Sequence, residues 1–286
     1  MEVLSGILPI AKSTKSEIGS IWVSEDKTTS GILESGWSLV GHGEAYADCG
    51  TIRFRGCLNV HEHHKALDRE QNGKVFVQAY RRSCARKECP ICRESWAGLE
   101  AGRAEYRLKG YRGKWRKPIH LSVSPEPILW DMEFEKLRSG AYNVLKRVGI
   151  VGGSVIFHPF RQDRAKKWFF SPHFHVIGYG WHNGFAVRGW VVKNHGIRKS
   201  VHSTVLYQLS HAGFNKKYHT VTWFGELAYN KLRLEPLVEA KPVCPLCGFE
   251  LVPLVYVGCE DRPPPSEEGD YFLEPSDWLE RHGRWG

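Results

Sequence analysis

Ser171-Pro172-His173-Phe174-His175-Val176-Ile177-Gly178-Tyr179 reads as a short strand, apolar and β-branched after its opening proline. Strand side chains alternate between faces, so His173 and His175 project to one side about 6–7 Å apart, while Phe174 and Val176 project to the other. Two imidazoles converging from a rigid strand suit a divalent cation that keeps open positions for a substrate, since neutral imidazole is a good ligand and further donors can come from elsewhere. The plain alternative is a pair of histidines on the wet face of a half-buried strand. The flanking sequence has to choose between them.

Working outward, Ile119-His120-Leu121-Ser122-Val123-Ser124 alternates as a strand. Met132–Val148 carries Leu137, Ala141, Val144, Leu145 and Val148 at helical spacing, and Ser154–Phe160 is a second strand ahead of the histidine strand. Lys199–Ala212 is a helix ended by Gly213, and His219–Phe224 is a last strand. The order βαββαβ predicts an α+β, ferredoxin-like (split βαβ) domain: an antiparallel sheet with two helices on one face and the other face free to bind. The apolar run Gly189–Val192 is a candidate further strand.

On the second helix Val201, Val205, Leu209 and Ala212 form a stripe that should lie against the sheet, and Ser203, Tyr207, Ser210 and His211 form another. Tyr207 and His211 are i and i+4, one helical turn apart on one face. If that face looks toward His173 and His175, three imidazoles and a phenol share one site. The histidines would hold Mg2+ or Mn2+ against a phosphate oxygen, and Tyr207 would attack phosphorus, leaving a 5′-phosphotyrosine and a free 3′-hydroxyl. His211 alternatively caps the helix end near Gly213.

Of the eight cysteines, five are clustered with metal-ligand spacing, Cys84-x4-Cys89-x2-Cys92 and Cys244-x2-Cys247, which reads as thiolate zinc rather than disulfides. The first cluster needs a fourth ligand, for which Cys57 is preferred over His61, His63, His64 or Cys49. The second needs two, from Cys259, Cys49 or a histidine. Basic residues crowd the first cluster and the stretch after it, with Arg81, Arg82, Arg86, Lys87, Arg116 and Lys117 the candidates for DNA contact. They are interleaved with Tyr80, Trp96, Tyr106, Tyr111 and Trp115, a mixture that neutralises phosphates and stacks bases.

With 42% hydrophobic residues, 40 Lys+Arg against 31 Asp+Glu and a formal charge of +9, the 286-residue chain is expected to be a globular protein with a phosphate-bearing partner. No run approaches the ~18–20 apolar residues of a membrane span, and Met1–Ile10 lacks a basic n-region, so the expected location is intracellular, in the cytoplasm, where thiols stay reduced.

The His173-Phe174-His175 strand, the earlier His120-Leu121-Ser122-Val123-Ser124-Pro125 strand and the later Tyr207 helix resemble the three ordered motifs of the HUH endonuclease superfamily. Cys84-x4-Cys89-Pro90-x-Cys92, Tyr207-x2-Ser210-His211-Ala212-Gly213 and Trp223-Phe224-Gly225-Glu226-Leu227-Ala228-Tyr229-Asn230-Lys231-Leu232, ahead of a Cys-Pro-x-Cys-Gly knuckle, are similar to rolling-circle replication initiators of archaeal plasmids and viruses. The resemblance covers about residues 49–250. It implies origin recognition, single-strand nicking and rejoining, with single-stranded and origin DNA and the host replication machinery as partners. With the HUH endonuclease domain placed at 99–235, composition and motif placement divide the rest of the chain into an N-terminal arm (1–44), a zinc-binding module (45–98), a zinc knuckle (236–260) and an extended, loosely held Pro-rich acidic tail (261–286). Ser203 and His211 flank Tyr207 by four residues, so the enzyme looks like a one-tyrosine type; Tyr218 and Tyr229 are expected to be structural. The competing readings are a one-tyrosine single-strand transposase, a zinc hydrolase, and a zinc-knuckle nucleic-acid-binding protein without catalysis.

Overall fold

A computed structural model describes residues 36–63, 72–182, 184–237 and 240–282. The strands, in chain order, are β1 (Ser38–Leu39), β2 (Ile52–Cys57), β3 (Val75–Arg81), β4 (Ile119–Pro125), β5 (Ile150–Gln162) and β6 (Trp168–Gly180). They continue as β7 (Trp190–Ile197), β8 (Gly213–Phe214), β9 (Val221–Gly225), β10 (Val252–Tyr256), β11 (Gly269–Leu273) and β12 (Trp278–Glu280). The helices are α1 (Val60–His63), α2 (Arg93–Lys109), α3 (Phe134–Arg147) and α4 (Val201–Leu209). The described residues form two compact units, one from residues 46–63, 72–84 and 240–282, the other from residues 36–45, 85–182 and 184–237.

The larger unit is built on a five-stranded antiparallel sheet in the order β7-β4-β6-β5-β9. β4 and β5, joined through α3, both run antiparallel to β6, which lies between them. A ferredoxin-like order would put the last strand against β4. Here the outer edge of β4 holds β7, so β9 pairs with β5 instead.

Strand alternation decides which helix covers which face. Leu121, Val123, Val155, Phe157, Phe174 and Val176 point to one side and pack with Leu137, Ala141, Val144 and Leu145 of α3. Ile156, Ile177 and Tyr179 point to the other and pack with Val205, Leu206 and Leu209 of α4. α2 packs on α4 through Ala97, Ala101, Ala104 and Leu108, a seam of mostly small residues that lets the two helices approach. The expectation of two helices on one face and a free opposite face is therefore corrected: both faces are covered, because the strands carry apolar side chains on both. The boundary expected at 98/99 also falls inside α2, whose buried stripe belongs to this unit. Leu145 of α3 is fully buried against the sheet, and Leu145→Ala is expected to cost about 2–5 kcal/mol in a chemical denaturation titration.

The smaller unit is a five-stranded antiparallel sheet in the order β11-β3-β2-β10-β12. The tail read as loosely held supplies two of those strands. Trp278 is buried against Phe54 and Tyr256, and Phe272 packs against Phe76; Asp270, Glu274 and Glu280 face solvent, as on outer strands, while Asp277 is buried and pairs with Arg262. The module at 45–98 and the knuckle at 236–260 likewise share this one sheet through β2 and β10 rather than forming successive domains.

Candidate metal centres and active site

β6 delivers His173 and His175 to the α4 side of the large sheet, and β5, paired with it, delivers His158 directly opposite His173. The ligand atoms of His158, His173 and His175 lie within 4.8 Å of one another. Neither ring nitrogen of the fully buried His158 makes a well-formed hydrogen bond among the described residues, although the Gln208 backbone approaches the ring. A buried polar ring left without partners is costly unless something else satisfies it, and a cation would do so. Burial pushes all three imidazoles below their ordinary range, His173 to about 4, so they stay neutral with lone pairs available. The Nδ1 of His173 donates to the Ser171 carbonyl at 2.9 Å, leaving its Nε2 free to bind a cation.

α4 is set by Ser200, whose Oγ accepts the Ser203 N–H at 3.1 Å as an N-cap. Its buried stripe turns Tyr207 outward, 55% exposed, with its ring centroid 4.9 Å from that of His211. His211, which burial holds near pKa 4, stands edge-on to His158 at 4.5 Å and lies 6.4 Å from His175. Tyr207, His173, His175 and His211 thus converge as their spacing suggested, and His158 joins them.

His158 escaped sequence reading because one histidine in an apolar strand carries no spacing signal. The antiparallel pairing of β5 with β6 placed it. His120 and His195 were not read as site residues either. His120 Nε2 lies 2.9 Å from His175 Nδ1, and His195 stacks on His120 at 4.5 Å and contacts Ser122 Oγ at 2.9 Å. Arg198 can only donate, and it does so to His120 Nδ1 at 2.9 Å; His120 Nε2–H therefore donates to His175, whose own proton sits on Nε2. Loading a cation through that nitrogen requires the opposite tautomer, which releases Arg198.

A second cation reaches this face through an irregularity. The β5–β6 register shifts between His158 and Phe160, so Phe160 returns to the core with Phe157, and Arg161 comes to the histidine side. Its Nη2 donates to Ser124 Oγ at 2.9 Å, and its Nε has no partner among the described residues.

The knuckle Cys244–Cys247 is completed by Cys57 and His63, not by Cys259, which is exposed and outside the group. The preference for Cys57 as fourth ligand of Cys84, Cys89 and Cys92 is corrected: β2 pairs with β10, which carries its last residue toward the knuckle instead. Cys57 Sγ is 3.6 Å from Cys247 Sγ, far beyond a disulfide and close to the ~3.8 Å edge of a tetrahedron with ~2.3 Å zinc–sulfur bonds. Cys244 Sγ is 3.4 Å from His63 Nε2, and the opposite nitrogen of that ring, Nδ1, donates to the Lys74 carbonyl at 3.2 Å, which fixes the tautomer a metal needs. Burial pushes Cys57 up to about 12, so an ionised thiolate there calls for a cation. His61 is exposed, and His64 lies outside the described residues. The group of three thiols with an imidazole is compatible with structural zinc.

Four of the six cations expected to contact DNA have partners within the protein: Arg81 pairs with Glu268, Arg82 with Asp48 and Arg86 with Glu88, and Lys87 donates to the carbonyls of Asn215 and Tyr218. Arg116 and Lys117 are exposed. Tyr218 stacks on Trp37 and hydrogen-bonds Glu135. Among the described residues no helix is long and apolar enough to cross a membrane.

Compared with protein-family models, characterised proteins and solved structures, the chain matches none.

Proposed function

We propose that the protein is a single-strand DNA endonuclease and strand transferase of the HUH kind, acting as a rolling-circle replication initiator. The observation that carries this reading is the exposed phenol of Tyr207, held by α4 beside His211 above a buried group of three neutral imidazoles. His158, His173 and His175 would hold a divalent cation, which would supply positive charge to offset the negative charge of the reacting phosphate. A nitrogen-only donor set favours Mn2+ over Mg2+, which prefers oxygen ligands.

Tyr207 Oη forms the bond to phosphorus as the P–O3′ bond breaks. The phenol proton leaves, and the released 3′-oxygen takes one up. Arg161 and Arg198 flank the imidazole row with guanidinium groups suited to the phosphates of the bound strand. The test is incubation with labelled single-stranded origin fragments and Mn2+, followed by a denaturing gel; protein-linked DNA supports the reading.

Three clustered imidazoles are also a set that hydrolytic zinc uses, which keeps a zinc phosphodiesterase as the second reading. Cleavage without any protein-linked DNA would select it.

His158→Ala is expected to raise the Mn2+ concentration needed for half-maximal nicking at least tenfold, with the adduct still forming on Tyr207 at the same nucleotide. Under the same titration His211→Ala should shift it less, since His211 stands outside the tightest group. If the His158 variant overlays the parent curve, His211 is the third ligand.

A further inference from the structure

The large unit contains a second feature that the imidazole site does not use. Between α2 and the segment that follows β9 lies a cavity of about 670 Å³, walled by Trp96, Arg103 and Arg107 on one side and Trp223, Tyr229 and Glu235 on the other. Ligand sites typically run from roughly 300 to 1,000 Å³, so this one has room for a nucleotide.

Two straps build the far wall. Arg107, buried on α2, donates from Nε to the Leu227 carbonyl at 2.8 Å and from Nη2 to the Leu232 carbonyl at 2.7 Å, and Tyr106 Oη donates to the Glu235 carbonyl at 3.0 Å. Gly225 lets the chain turn off β9 at φ +61°, where a Cβ would collide with the Val151 carbonyl. With its hydrogen bonds directed to those carbonyls, the Arg107 guanidinium faces two rings, Trp223 at 5.3 Å and Tyr229 at 4.4 Å. Tyr229 is nonetheless 69% exposed, a large aromatic fixed in place but left open on one side.

Charge narrows the ligand. Arg103 pairs with Glu100 at 2.7 Å, Arg86 with Glu88, and Lys87 is committed to main-chain carbonyls, so the cavity is close to neutral and is not built for a bare phosphate. A flat, cation-backed aromatic platform, in a cavity whose wall also includes Glu100 and Glu235, suits a heteroaromatic ring that offers amino hydrogens. Thr220, 9% exposed, adds a wall hydroxyl with no hydrogen-bond partner among the described residues.

We propose that this cavity binds one unstacked nucleobase of a single strand, an amino-bearing base (adenine, cytosine or guanine) in preference to thymine, stacked on Tyr229. It goes beyond the nicking reaction and rests on that reading only in taking the same single strand as ligand. Binding is measured on the full-length, zinc-loaded protein by anisotropy of labelled (dA)8, (dC)8 and (dT)8, without added divalent cation, over a series of salt concentrations. Tyr229→Ala is expected to weaken (dA)8 or (dC)8 about 5- to 150-fold with an unchanged salt slope, since one stacked base and no charge is lost, and Tyr229→Phe to bind as the parent does. Glu100→Gln should shrink the preference over (dT)8.

Tyr229→Ala isotherms that overlay the parent would overturn the proposal, as would a Tyr229→Phe variant as weak as Tyr229→Ala. Because no cleavage is scored, a protein that binds in this way and never nicks would sink the endonuclease reading and leave this one standing; nicking with unchanged Tyr229→Ala binding would do the reverse.

Discussion

Tyr207→Phe is expected to abolish the covalent DNA adduct and to lower nicking by more than about a thousandfold, while single-strand affinity stays within about twofold of the parent. The substitution removes one oxygen and keeps the ring. Tyr207 is more than half exposed and packs edge-on to His211, so the helix and the imidazole group below it lose no buried contact that depends on the hydroxyl. An interaction made only in the transition state shows up in turnover and leaves binding alone. Adduct formation and binding are read on the same samples, by denaturing gel and by anisotropy. A persistent adduct would mean another nucleophile, and Tyr229, exposed on the same unit, would be examined next.

The second large effect is expected in the small unit. Cys244→Ser should release one equivalent of zinc, scored by elemental analysis, and unfold the β11-β3-β2-β10-β12 sheet rather than merely soften it. Zinc binding at such sites carries roughly 10–16 kcal/mol in small peptides, and that free energy is folding free energy. Cys57, at the end of β2, and Cys244, ahead of β10, lie 187 positions apart in sequence, so losing the group removes a long-range tie that supports the β2–β10 pairing in a unit with small apolar clusters. Cys259→Ser, outside the group, should leave zinc content and melting unchanged. Equal zinc in the Cys244→Ser and parent proteins would refute the assignment of Cys57, His63, Cys244 and Cys247 as one zinc site.

Local periodicity carried much of the large unit. The i, i+2 alternation of 173–177 sends the histidines to one face and Phe174 and Val176 to the other, as found. The helical stripe of Val201, Val205 and Leu209 is buried, and Tyr207 and His211 share the remaining face. The Cys244-x2-Cys247 spacing likewise named two of the three thiols of the small unit's group. All of these signals live within a turn or a few residues of one another, where the geometry of a single element dictates which side chains share a direction.

What the sequence could not decide depends on pairings between distant segments. His158 joins the imidazoles only because β5 lies antiparallel to β6 in one register, and a slip of one residue would turn it into the α3 core. Cys57 and His63 complete the distant knuckle because β2 chose β10 as its neighbour. The acidic tail became two strands because β3 and β10 had free edges and Trp278 had an apolar face to cover. By itself the sequence determined which residues lie on one face of one element. Which faces meet was decided by the tertiary structure, since burying apolar area and pairing strand edges are satisfied by the whole chain at once and leave no local trace.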